Sequence, residues 1–235
     1  TPLYSSAASD VYKRQILWTP LILYPPMMQE LQNYPEDLTG LFLALRGLGT
    51  LCGSTLLVFL NKKLDPRVIL TFGFLLQGIA GFYMSHFDIN LSAFELAWTN
   101  SLAGLGVGFV WVPLTLITFN TLDKKYLNEA SAFWHLIRNI GSSISISITV
   151  ALVIRSTAIN YADLSSFISI FGDSTSIMPL KGTTTPDDMK SLSGLSREIG
   201  RQSEMIGYIN AFHLYYWIAF SIIPLVWLAP LKSEK

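Results

Sequence analysis

The chain has a single cysteine, Cys52, among 235 residues. That excludes a disulfide framework and a cysteine-held zinc cluster. Charge is scarce as well. Asp, Glu, Lys and Arg make up 14% of residues, and 16 basic residues balance 16 acidic ones. A nucleic-acid binder would show a basic excess, and a disordered chain would be poor in apolar residues. Neither describes a sequence that is 51% hydrophobic with a mean hydropathy of +0.42. Catalytic signatures are missing too: there is no HExxH, no GxSxG, no histidine-rich cluster and no carboxylate pair inside an apolar run. These residues point to no enzyme, no metal and no organic cofactor.

What is there is long uncharged sequence. Residues 68–87, 96–122 and 205–231 contain no Asp, Glu, Lys or Arg, and each run reaches the roughly 20 residues that cross a bilayer. The pattern predicts an all-α integral membrane protein, a six-helix bundle with segments near 16–32, 37–60, 67–86, 95–121, 129–154 and 206–230. The first segment is short and reads as cut at its start. The stretch 141–149, GSSISISIT, alternates like a strand. A lone membrane strand has no barrel to join, so it reads as helix. Residues 155–205 are polar and Ser/Thr-rich and read as a loop ending in a surface helix near 186–202.

The opening TPLYSSAASDVYKRQ is polar and joins abruptly to membrane-like sequence at Ile16. DVYKRQ also matches the translation of a transposon end used in sequencing libraries. Residues 1–15 are therefore expected to be non-native and stand outside the fold. Orientation follows from the short loops. Lys62, Lys63 and Arg67 lie in one, Lys124 and Lys125 in another, and Lys232 and Lys235 in the tail, whereas 30–37 and 86–95 hold no Lys or Arg. The positive-inside rule places the first set and the C-terminus in the cytoplasm. The 155–205 loop then lies outside, although its five basic residues count against that placement.

Two cations fall within apolar helices. Arg46 and Arg138 each lie about nine residues from a helix end, roughly 14 Å deep. A guanidinium there costs about 2.5–3.5 kcal/mol even on the lowest scale, so it normally faces a bundle interior or an aqueous cavity. His135, Arg138, Ser142, Ser145 and Thr149 follow one another at spacings of 3, 4, 3 and 4, a single polar stripe on one helix. Such a stripe lines a wetted path or bonds to neighbouring helices. Small residues mark close packing: Gly49 with Gly53, Gly104 with Gly106 and Gly108, and Gly73, Gln77 and Gly81 on one face. Pro113 interrupts the hydrogen bonding of its helix. Asp65 followed by Pro66 reads as a helix start.

Several stretches taken together resemble the C-terminal half of a major facilitator superfamily multidrug:proton antiporter of the fourteen-helix EmrB/QacA type. They are YPPMMQELQNY with Gln29 and Gln32, RGLGT from Arg46 to Thr50, NKKLDPR with Asp65 and Arg67, GLGVGFVWVPLT from Gly104 to Thr115, and NEASAFWHLIRNIGSSI from Asn128 to Ile144. His135 departs from the family pattern, which more often has Asn there, and Ile144-Ser-Ile stands where a further Gly is common.

The resemblance implies one bundle of a two-bundle carrier, each half built from inverted three-helix repeats that rock about a central cavity. It places Arg46, the 129–154 stripe, Gln29, Gln32 and Thr115 on the substrate path, and implies a proton gradient as driving force. The acidic residues associated with coupling belong to the family's N-terminal half. The partners implied are the lipid bilayer, that N-terminal half and small amphipathic substrates, with a periplasmic adaptor also admissible and no nucleic acid. Phe133, Trp134, Trp111 and Tyr24 are available to line a drug pocket. An inner-membrane location follows by resemblance alone. A carrier for a siderophore or metabolite, and a non-transporting membrane subunit, stay open as alternatives.

Overall fold

A computed structural model describes residues 19–60, 65–119, 127–166 and 189–228. The segment 1–15 and the middle of the 155–205 stretch fall outside the described residues. The described chain is helical, with no strand among those residues. The first helix, α1, is described over 19–26 and continues as a π-helical turn, Met27–Leu31. Then follow α2 (Glu36–Leu60), α3 (Pro66–Met84), α4 (Ala93–Phe119), α5 (Leu127–Ser166) and α6 (Met189–Leu228). The stretch 141–149 lies inside α5 and is helical.

Local chemistry sets the helix ends. Pro25 and Pro26 bring no N–H to the ladder of α1, and the wider π-turn follows directly after them. Asn33 then takes a φ of 54°, a left-handed conformation that Asn tolerates at a helix end. At the start of α3, Pro66 occupies the first turn and Asp65 is the extended cap residue, but its carboxylate makes no capping bond. Its backbone carbonyl accepts the Val68 N–H at 3.0 Å instead. The start of α4 is a reciprocal box: Ser92 N–H donates to Glu95 Oε2 at 2.9 Å, and Glu95 N–H donates to Ser92 Oγ at 3.2 Å.

In the packing, α2 lies on α4, α4 on α3, α3 on α6 and α6 on α5. The end of α1 is driven into the centre, where Tyr24, Met27, Met28 and Leu31 are fully buried. Tyr24 packs on Phe212 of α6 at a centroid distance of 5.9 Å. The outer faces stay apolar: Leu48, Leu51, Val58 and Phe59 of α2 and Phe72 and Phe82 of α3 are exposed. A water-soluble protein does not leave such faces bare. Among the described residues, four helical stretches are long and apolar enough to cross a membrane, Glu36–Phe59, Pro66–Met84, Ser131–Ser166 and Ser193–Pro224.

Two boundaries differ from the sequence reading. The segment expected to end at 154 continues as helix to Ser166, and the expected surface helix is part of α6, which begins at Met189. Each of α5 and α6 runs 40 residues, about 60 Å, or twice the hydrocarbon thickness. Residues 155–166 are polar but contain neither Gly nor Pro. Polarity ends a membrane segment; it does not end a helix.

Candidate functional site

The deepest charge is Arg46 on α2, 6% exposed. Its position follows from the glycines around it. At the crossing of α2 and α4, Gly104 faces the Arg46 carbonyl with no room for a side chain. A Cβ on Gly53 would come within 2.5 Å of the Leu105 carbonyl oxygen, and one on Gly108 within 2.5 Å of the Thr50 carbonyl oxygen. Gly49 lies in the same way against the Ser101 carbonyl. The two backbones therefore touch over several turns. Thr50 Oγ1 bridges them, bonding to the Arg46 carbonyl at 3.0 Å and the Gly104 carbonyl at 3.1 Å.

Tyr24 of α1 and Tyr215 of α6, both buried, are within electrostatic reach of the Arg46 guanidinium. Tyr24 OH lies 2.9 Å from Thr99 Oγ1, and Thr99 donates to the Glu95 carbonyl at 2.6 Å. Tyr215 OH donates to Gln77 Oε1, and Gln77 Nε2 donates to the Ala103 carbonyl at 3.1 Å. With Thr99 committed to Glu95, Tyr24 is the donor in its own pair. Both phenols thus give their protons elsewhere and offer the cation only oxygen lone pairs. Five elements, α1, α2, α3, α4 and α6, meet at this node. Gly81 leaves the space that the Tyr215 ring fills.

The polar stripe on α5 divides. Ser145 and Thr149 are buried and, with Thr19, Leu214 and Tyr215, line a small cavity of about 130 Å³. They therefore join the Tyr215 side of the node. Ser142 donates to the Asn139 carbonyl of its own helix at 2.9 Å. Arg138 is half-buried with its guanidinium carbon 5.6 Å from the Trp134 ring centroid, and His135 is exposed beside the same indole. Arg138 lies seven residues, about 10 Å, along the helix from Ser145.

The other candidates scatter. Gln29 is exposed, while Gln32 Nε2 donates to the Ile89 carbonyl at 2.6 Å and ties the end of α1 to the loop after α3. Thr115 donates to the Trp111 carbonyl at 2.8 Å, two residues from the buried Pro113. Arg67 is half-buried and Asp65 exposed at the start of α3. Phe133 and Trp111 are exposed, and Tyr24 is a core residue. The sequence reading took Gln77 as part of a packing face and did not single out Thr99, Asn100 or Tyr215. Asn100 is fully buried with neither amide atom hydrogen-bonded.

Apolar outer faces, glycine-packed helices and an interior guanidinium beside a polar node define a multi-pass helical membrane protein with a polar interior. The chain belongs to the Major Facilitator Superfamily, whose pattern its residues 15–229 match. Over 212 residues it is 25% identical to the multidrug export protein EmrB of Escherichia coli K12, covering 89% of this chain and 41% of that protein. It is 29% identical over 220 residues to the probable multidrug resistance protein EmrY of the same organism, with the same coverage. The fatty acid resistance protein FarB of Neisseria gonorrhoeae is 22% identical over 213 residues, again 89% of this chain and 41% of that protein. The chain thus spans about two fifths of the length of these relatives. Six helices in this order fit the C-terminal half of the superfamily fold.

Proposed function

We propose that this chain forms the C-terminal bundle of a proton-driven exporter of amphipathic toxic compounds that works by alternating access in a bacterial inner membrane, with its C-terminus in the cytoplasm. The observation that carries the reading is the Arg46 node. A cation held 6% exposed beside Tyr24 and Tyr215 is costly in a bundle that only packs. It is useful where two helix arrangements must differ in energy, because a ligand or proton can then shift their populations. The names of the relatives support the substrate class: multidrug export and fatty acid resistance.

The test is accumulation of a fluorescent amphipathic dye in cells that lack their own exporters and express the protein. Arg46→Lys keeps the charge and loses the planar fork; Arg46→Met removes the charge. Efflux reduced at least tenfold in Arg46→Met, with protein still in the membrane, is the expected result, since tenfold corresponds to about 1.4 kcal/mol. Dye export in Arg46→Met equal to wild type would remove the node from the mechanism.

A further inference from the structure

The end of α3 meets α6 in a cluster of four rings. Phe82 and His86 stand 4.5 Å apart between centroids, His213 and Tyr216 5.5 Å, and Phe82 and Tyr216 6.0 Å. The two imidazoles face each other across the seam at 6.5 Å. His86 is exposed just past the end of α3, and His213 is half-buried within α6.

Both rings are anchored in the same way. His86 Nδ1 lies 2.8 Å from the Phe82 carbonyl, and His213 Nδ1 lies 3.1 Å from the Ile209 carbonyl. A carbonyl oxygen only accepts, so each Nδ1 carries the hydrogen. The Ser85 hydroxyl, 3.2 Å from His86 Nδ1, gives its own proton to the Phe82 carbonyl at 2.7 Å and does not displace that hydrogen. In the neutral ring each Nε2 is then a bare lone pair, turned away from its anchoring carbonyl. An Nδ1–H held by a backbone carbonyl, with Nε2 free, is how proteins orient histidines that bind metals.

We propose that His86 and His213 bind one zinc-class divalent ion through their Nε2 atoms, and that the ion ties the end of α3 to α6. Zn–N bonds of about 2.0–2.1 Å put two rings on one ion at roughly 5–6.5 Å between centroids. The observed separation is at the wide end of that range, and rotation of the exposed His86 closes it. Imidazole pairs suit Zn²⁺, whereas Mg²⁺ and Ca²⁺ take oxygen ligands. No third His, Cys, Asp or Glu joins the pair among the described residues, so water completes the coordination. The two histidines lie far apart in sequence, and no local spacing signals the site. The inference rests on this seam and does not depend on the transport reading.

The probe is ZnCl₂, with the purified protein in lipid nanodiscs, free of a polyhistidine tag and carrying Cys52→Ser to remove the one thiol. Calorimetry needs no transport, so its failure leaves the efflux reading intact, and a failed efflux assay leaves this site intact. One Zn²⁺ per chain is expected to bind saturably, with MgCl₂ giving no heat. His86→Ala and His213→Ala should each weaken zinc at least tenfold. Zinc should also raise the thermal midpoint of the protein with both histidines, because it binds the folded seam, and should not raise that of either variant. A measurement without those variants guards against misfolding: zinc should protect both His86 and His213 from diethyl pyrocarbonate, read by mass spectrometry. Undiminished binding in either variant, several equivalent ions per chain, an unmoved midpoint on binding, or protection of neither histidine overturns the proposal and marks any zinc bound as an adventitious ion only.

Discussion

The carbonyl oxygen of Arg46 occupies the place that a side chain on Gly104 would take. The position of the deepest charge in the bundle is thus set by the absence of a Cβ on the facing helix. A methyl group at Gly104 must push α2 away from α4, and Arg46 moves with its helix. Overpacking of this kind costs about 1–3 kcal/mol. Gly104→Ala should lower the thermal midpoint in detergent by that equivalent. Gly47, one residue beyond Arg46, has nothing within 4 Å of its would-be Cβ. Gly47→Ala should leave the midpoint unchanged or raise it, because Ala is the better helix former. If the two variants melt alike, the close approach is not what positions Arg46.

The Tyr215–Gln77 bond joins residues 138 positions apart. Tyr215→Phe leaves a buried Gln77 oxygen without its donor, which costs about 1–3 kcal/mol. Replacing both, Tyr215→Phe with Gln77→Leu, removes the orphan and should recover part of that loss. A double-mutant cycle on unfolding free energy measures the coupling; additive effects would mean that the two side chains do not act as a pair.

This pair also shows where sequence reasoning stops. The membrane segments were legible because crossing a bilayer demands apolar length, and charge-free runs advertise it. The glycines of α2 and α4 were legible as close-packing signals, since small residues four apart leave a groove, but which helix fills the groove is a tertiary fact. Gln77 was visible only as one member of a face, because nothing near it in sequence names Tyr215 as its partner. The α5 stripe was traced correctly as a line on a helix, yet whether each residue on it meets a neighbour depends on how far α6 runs alongside. That extent was hidden, because hydropathy reports where lipid ends and says nothing about a polar helix that continues beyond it.

Asn100 gives a prediction of opposite sign. Its amide is fully buried on α4 and forms no hydrogen bond. An unsatisfied buried polar group costs about 1–3 kcal/mol, and an apolar group of the same shape avoids that cost. Asn100→Leu should therefore raise the thermal midpoint. A lowered midpoint would show that the amide gains more from its surroundings than this conformation displays.

The continuation of α5 past residue 154 predicts a labelling pattern. Along 155–166, Ser156 is buried under α6, where Asn210 Nδ2 donates to its hydroxyl at 2.6 Å, while Arg155, Ile159 and Ala162 are exposed. A helix repeats each 3.6 residues, so single cysteines placed through this stretch should react in that rhythm with a membrane-impermeant maleimide. Cys52 is itself exposed and must first become Ser. Positions 155, 159 and 162 should label fast and position 156 slowly; uniform labelling would indicate an irregular loop. Because the reagent cannot cross lipid, the same scan in intact cells reports sidedness. Under the proposed orientation the reactive positions are reached from outside, and labelling only after the membrane is opened would invert the bundle.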